Sequence, residues 1–127
     1  MIVVAALSPA LDTTYVVDEL VPGRPHRPAL VRRVAGGKAL NMARAASSLG
    51  AEVRAVPVLG GRIGDLVAEL LRADGVAAAP VADDAETRVC VSPAPSSFVA
   101  SMRLSGALRT SSFEPASPLA VTAMPDT

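Results

Sequence analysis

Apolar residues run without a break from Ile2 to Leu7, and a continuous run of this kind predicts a strand covered on both faces. Ser8-Pro9 ends it. Thr13 to Val17 is β-branched and aromatic, which predicts a second strand closed by Val21-Pro22-Gly23. His26 to Val34 alternates loosely and can pair with that strand. The two, followed by Ala35-Gly36-Gly37, predict a small antiparallel sheet attached to a larger one.

The clearest helix spans about Lys38 to Leu49, with Leu40, Ala43, Ala46 and Leu49 on one side and Gly50 at the C-terminal cap. Glu52 to Leu59 reads as another buried strand, with Pro57 awkward for a central position. Gly60 to Gly64 reads as a loop, after which Asp65 can cap a helix carrying Leu66, Val67, Leu70 and Leu71 as its apolar stripe. Asp74-Gly75 stops that helix. Val76 to Val81 is a weak strand and Thr87 to Val91 a stronger one. This order of elements predicts an α/β domain built on a parallel sheet. From Pro93 to Thr127 the chain turns Ser/Ala/Pro-rich without either period, a composition that predicts disorder.

Composition sharpens this picture in a few places. A chain of 127 residues, 50% apolar but with Tyr15, Phe98 and Phe113 as its only aromatics, forms one small core of modest stability. Twelve basic and twelve acidic residues balance, so bulk charge draws the chain to neither nucleic acid nor membrane. One cysteine, Cys90, allows no internal disulfide and no multi-Cys metal site, and its alternation places it in the core. No basic residue precedes the first apolar run, which is too short to span a membrane, so the expected location is cytoplasmic.

Lys38 is the only lysine, and it stands in Ala35-Gly36-Gly37-Lys38-Ala39-Leu40-Asn41. Two glycines opening a helix let the backbone approach a ligand closely, and the helix start adds unpaired N–H groups and partial positive charge. With Lys38 and Asn41 this suits a hydroxyl-rich anionic ligand; an ordinary glycine turn into a helix accounts for the segment equally well. Asp12 follows the end of the first strand, at the edge where open α/β sheets bind ligands, and can accept hydrogen bonds from sugar hydroxyls, though taken alone it reads as a turn residue. Gly60 to Gly64 lacks the dinucleotide spacing, Lys38 lacks the P-loop spacing, and a lone His26 reads as structural or solvated.

Taken together, Ser8 to Asp12, Pro22-Gly23, His26-Arg27, Gly36-Gly37-Lys38, Asn41 to Arg44, Leu49-Gly50, Leu59-Gly60-Gly61, Gly64, Gly75 and Thr87-Arg88 occur in order and at spacing similar to the front of the PfkB, ribokinase-like, carbohydrate kinases. The branch resembled is that of 1-phosphofructokinase and tagatose-6-phosphate kinase, over roughly residues 1–92. The resemblance implies a ribokinase-like parallel sheet with helices and a small β lid. It implies that Asp12, Gly36, Gly37 and Asn41 hold sugar hydroxyls while Arg27, Lys38 and Arg88 face an anionic sugar phosphate. It also implies a homodimer clasped through the lid strands. Ala39 departs from the family, which usually has a further glycine there.

ATP-dependent phosphorylation of a sugar phosphate, with Mg²⁺, is the activity the resemblance implies for the intact family. Its Gly-Ala-Gly-Asp catalytic motif and nucleotide site are not found in this sequence. The expectation is therefore an N-terminal kinase portion, residues 1–92, followed by a 93–127 tail that is disordered or out of frame. Such a truncated chain is expected to lack turnover, with a non-catalytic binding or dimerisation module and an inert product as the other readings.

Overall fold

The structure, a computed structural model, describes residues 1–97 and 113–115. Two sheets share one core. The first is parallel: β1 (Ile2–Ala6) pairs with β4 (Val53–Leu59), and β4 pairs on its other side with two short strands, β5 (Ala77–Ala78) and β6 (Val81–Ala82). The second sheet has the order β7-β2-β3-β8, from β2 (Ala10–Val17), β3 (Leu30–Gly36), β7 (Arg88–Pro95) and β8 (Phe113–Pro115). Within it β2 and β3 are antiparallel, as their alternation predicts, and β7 runs parallel to β2.

Helices α1 (Lys38–Ser48) and α2 (Gly61–Ala73) pack on the parallel sheet. Leu40 and Ala43 of α1 and Val67 and Leu71 of α2 are buried in one core with Val4, Ala6, Val53, Ala55 and Leu59. Leu11 and Ala35 join this core from the second sheet, so the sheet is held against the parallel layer where β2 and β3 begin and end. Both helices stop through the same device: a left-handed glycine, with Ala51 N bonded to Ala46 O around Gly50 and Val76 N to Leu71 O around Gly75. Leu49 is the cap residue of α1 and is exposed, since the helix ends one residue before it; it does not belong to the buried stripe.

Three elements depart from their expected bounds. α2 begins at Gly61 rather than after Asp65, because Gly60 and Gly61 are covered by the Asp83–Glu86 segment and its start is capped from there. The weak strand splits into β5 and β6, and the break faces Pro57, which is fully buried in β4 but has no N–H for the ladder. β7 continues through Pro95, pairing Pro93 with Tyr15 and Pro95 with Val17, so the boundary expected at residue 92 falls inside a strand. Among the described residues β7 is bonded on one side only, where proline is tolerated. Apart from these strand residues and Phe113–Pro115, most of the 93–127 tail lies outside the described residues. Among the described residues, no helix is long and apolar enough to cross a membrane.

Candidate functional site

The chain passes from β1 to β2 through Ser8-Pro9, and most of the candidate residues gather around that link. Gly37 caps α1 with φ 96° and ψ 150°. A β-carbon there would stand 2.9 Å from the Ser8 carbonyl oxygen and 3.3 Å from the Pro9 α-carbon, so the position is held for glycine twice, by conformation and by space. Gly36 pairs with Ala10 across the ladder, and a β-carbon on it would overlap the Asp12 carboxylate. Asp12 itself is half-buried, opposite Val34 on one side and Cys90 on the other.

Arg88 opens β7 opposite Ala10 and is exposed. Its guanidinium donates to the Ser8 carbonyl at 3.3 Å and to the Cys90 sulfur at 3.3 Å. Cys90 is therefore half-buried beside a cation rather than a core residue, contrary to its strand alternation. A shallow cavity of about 170 Å³ lies here, lined by Ser8, Pro9, Glu86, Thr87 and Arg88 among others.

Lys38 and Asn41 occupy the first turn of α1 and are both exposed. Asn41 Oδ1 accepts a hydrogen bond from Arg44, whose other terminal nitrogen reaches Asp74 at 3.4 Å. With its oxygen engaged, the Asn41 amide has its N–H₂ left for a ligand oxygen. Arg32 of β3 adds a second guanidinium to this neighbourhood. Burial pulls it below its ordinary value, Arg44 pulls the same way, and Asp74 and Asp12 oppose both. It remains a cation at neutral pH.

The structure thus brings Asp12, Gly36, Gly37 and Arg88 to one turn, with Lys38 and Asn41 on the adjoining helix start. Arg27 is not among them. It sits exposed in the loop between β2 and β3, past the Val16–Leu30 pair, and the four residues from Asp12 to Val16 alone span about 13 Å.

Sequence reasoning missed what holds the second glycine pair. Glu86 Oε1 accepts from Ile63 N at 2.7 Å and Thr87 Oγ1 accepts from Gly60 N at 3.0 Å, while Thr87 N donates to Gly60 O at 2.9 Å. A carboxylate at a helix N-terminus also meets the positive end of its dipole. The available signal was an acidic residue and a threonine just before a strand, 23 and 27 residues from the amides they accept from.

A family model for pfkB family carbohydrate kinases matches residues 2–94. The chain belongs to that family. Among pfkB relatives, a 1-phosphofructokinase of Haloferax volcanii is 43% identical over 90 residues, which cover 70% of this chain and 30% of the relative. A 1-phosphofructokinase of Xanthomonas campestris is also 43% identical, over 58 residues, 46% of this chain and 18% of that one. Phosphofructokinase-2 of Escherichia coli, solved in complex with fructose-6-phosphate, superposes with a TM-score of 0.71 at 27% identity, over 76% of this chain and 32% of that one. The fold is thus the α/β, ribokinase-like one that the sequence resembles, and the chain spans about a third or less of the length of the relatives it matches.

Proposed function

We propose that this chain carries the sugar-recognising part of a kinase for phosphorylated ketohexoses. The single observation behind this reading is the packing of the Asp12 carboxylate on Gly36 beside the left-handed Gly37. That arrangement presents a carboxylate, bare backbone and a helix start to one place, which suits vicinal hydroxyls. Arg88 and Lys38 border it with positive charge for the phosphate, and Asn41 supplies a donor. Within one copy Arg27 stands past the opposite end of the small sheet.

Two finer statements belong to the same reading. The small sheet is a lid through which two copies pair: the exposed Val89 and Val91 of β7 give it apolar surface, and phosphofructokinase-2 of Escherichia coli is described in a tetrameric inhibited form. Residues 1–127 alone bind without turning over, in keeping with the share of the relatives they span.

The family implies ATP and Mg²⁺ for the complete reaction. Among the described residues no three His, Cys, Asp or Glu side chains converge as a metal site requires, so no step is assigned to either here.

Calorimetric titration with fructose 1-phosphate, tagatose 6-phosphate and unphosphorylated fructose tests the reading. Saturable binding of a phosphorylated sugar, lost in Asp12→Ala and weakened in Arg88→Ala, is expected. Equal binding by Asp12→Ala would overturn it. ADP release above background with purified chain would overturn the statement on turnover.

A further inference from the structure

The link between β2 and β3, residues 18–29, is fastened to itself at Val21. Arg24 N donates to Val21 O at 3.3 Å, which closes a turn over Val21-Pro22-Gly23-Arg24. Proline and a glycine with φ 78° hold its two central positions, as a type II turn requires. The N–H of the same Val21 donates at 2.8 Å to Nε2 of His26. Both backbone groups of Val21 are thus engaged inside the loop, one by the turn and one by an imidazole.

A side chain takes this part because the strand ladder has stopped. Ala29 N donates to Val16 O at 2.9 Å, and beyond it Pro22, Pro25 and Pro28 have no N–H with which to extend the pairing. An imidazole accepts only while it is neutral. Nε2 is the bare nitrogen here, so the ring hydrogen sits on Nδ1. Protonation puts N–H on both nitrogens and sets a donor against the Val21 donor. The bond is therefore present above the imidazole range, about pH 6.5, and is lost as the pH falls through it. His26 is the chain's only histidine, and no other side-chain type ordinarily changes charge in that range.

Four charged residues share the loop with His26: Asp18, Glu19, Arg24 and Arg27, two of each sign and all exposed. The ring also lines a cavity of about 290 Å³ with Tyr15 and Val17 of β2, Leu20 and Pro28 of the loop, and Pro93 of β7. Tyr15 is the one other ionisable residue of that lining, and a phenol does not titrate near neutrality. Neither β2 nor β7 brings a carboxylate to the lining.

We propose that His26 is a pH-dependent clasp of the β2–β3 loop: the neutral ring fastens Val21, and acidification releases the loop together with Arg27, the next residue along. The release is local, since β2 and β3 stay paired from Ala10–Gly36 to Val16–Leu30 through backbone groups that do not titrate. The clasp is independent of the substrate reading above; a chain that binds no sugar phosphate has it equally.

Amide exchange followed by NMR on the full chain, at about pH 7.5 and about pH 5.5 with intrinsic rates divided out, tests it. Protection of the Val21 amide should fall about fivefold on acidification, as the loss of one such bond implies, while the paired residues of β2 and β3 keep theirs. In His26→Gln, whose amide oxygen accepts without titrating, Val21 protection should not depend on pH, and in His26→Ala it should be low throughout. Ring nitrogen shifts of the unaltered chain give a second reading: at about pH 7.5 Nε2 should be the nitrogen without hydrogen. Val21 protection indifferent to acid, an equal fall in His26→Gln, or a hydrogen on Nε2 would each overturn the proposal. So would loss of Val21 and ladder protection together, which is unfolding of the whole sheet rather than release of one loop.

Discussion

The carboxylate of Asp12 fills the space that a side chain on Gly36 would take, two residues along the same ladder. Neither residue can change without the other feeling it. Gly36 adopts no left-handed conformation, so its lack of a β-carbon serves contact alone. A Gly36→Ala chain must therefore turn Asp12 away or open the ladder. Fructose 1-phosphate affinity should fall by more than about tenfold, with stability reduced by about 1–3 kcal/mol. Calorimetric titration and urea unfolding read the two effects separately; unaltered affinity would remove Asp12 from the site.

Gly37 and Gly50 make a matched pair, one at each end of α1, both left-handed. A β-carbon at Gly50 meets open space, whereas one at Gly37 meets the Ser8 carbonyl. Gly50→Ala should cost about 1 kcal/mol from conformation alone. Gly37→Ala should cost more, about 2–3 kcal/mol, because the turn at Ser8-Pro9 must also shift. Urea midpoints of the two variants decide it, and equal losses would show that the turn yields freely.

Thr87→Val keeps shape and removes the acceptor for a buried N–H at Gly60. An unsatisfied buried donor costs about 1–3 kcal/mol, and Thr87→Ser, which keeps the hydroxyl, should lose much less. Amide exchange at Gly60 and along the first turn of α2 should quicken in the valine variant. Unchanged exchange there would mean that Glu86 caps the helix without help.

Arg44→Ala leaves Asn41 without the partner that fixes its amide. The Arg44–Asp74 pair is partly solvated, so its loss should cost at most about 1 kcal/mol of stability. Sugar-phosphate affinity should fall several-fold all the same. A loss of stability with full affinity would make Arg44 a surface brace and nothing more.

Much of this arrangement is legible in the residues themselves. The apolar runs mark β1 and β4, alternation marks β2 and β3, and Gly36-Gly37 opens α1 where its spacing says. The end of β1 places Asp12 just past the sheet edge, and only the resemblance makes more of it than a turn residue. What stays hidden is set by partners distant in the chain. Gly60 to Gly64 has the local character of a loop, and only Glu86 and Thr87 make a helix of it. Pro93 and Pro95 fall in the stretch read as disordered, yet they fit β7, which among the described residues is bonded on one side alone. The resemblance groups Arg27 with Arg88, yet within one copy the ladder register sets it past the other end of the sheet. Cys90 alternates like a core position, but the face it occupies also bears Asp12 and Arg88.

The strand that brings Arg88 to Ser8 lies 80 residues along the chain from it. β2 and β3 are neighbours in the chain and can zip together as soon as both exist. β7 can align with β2 only after α1, β4 and α2 have collapsed between them, and that long closure is the slow one. During synthesis Gly36 and Gly37 are therefore in place before Arg88, so the site proposed above is completed only when β7 docks.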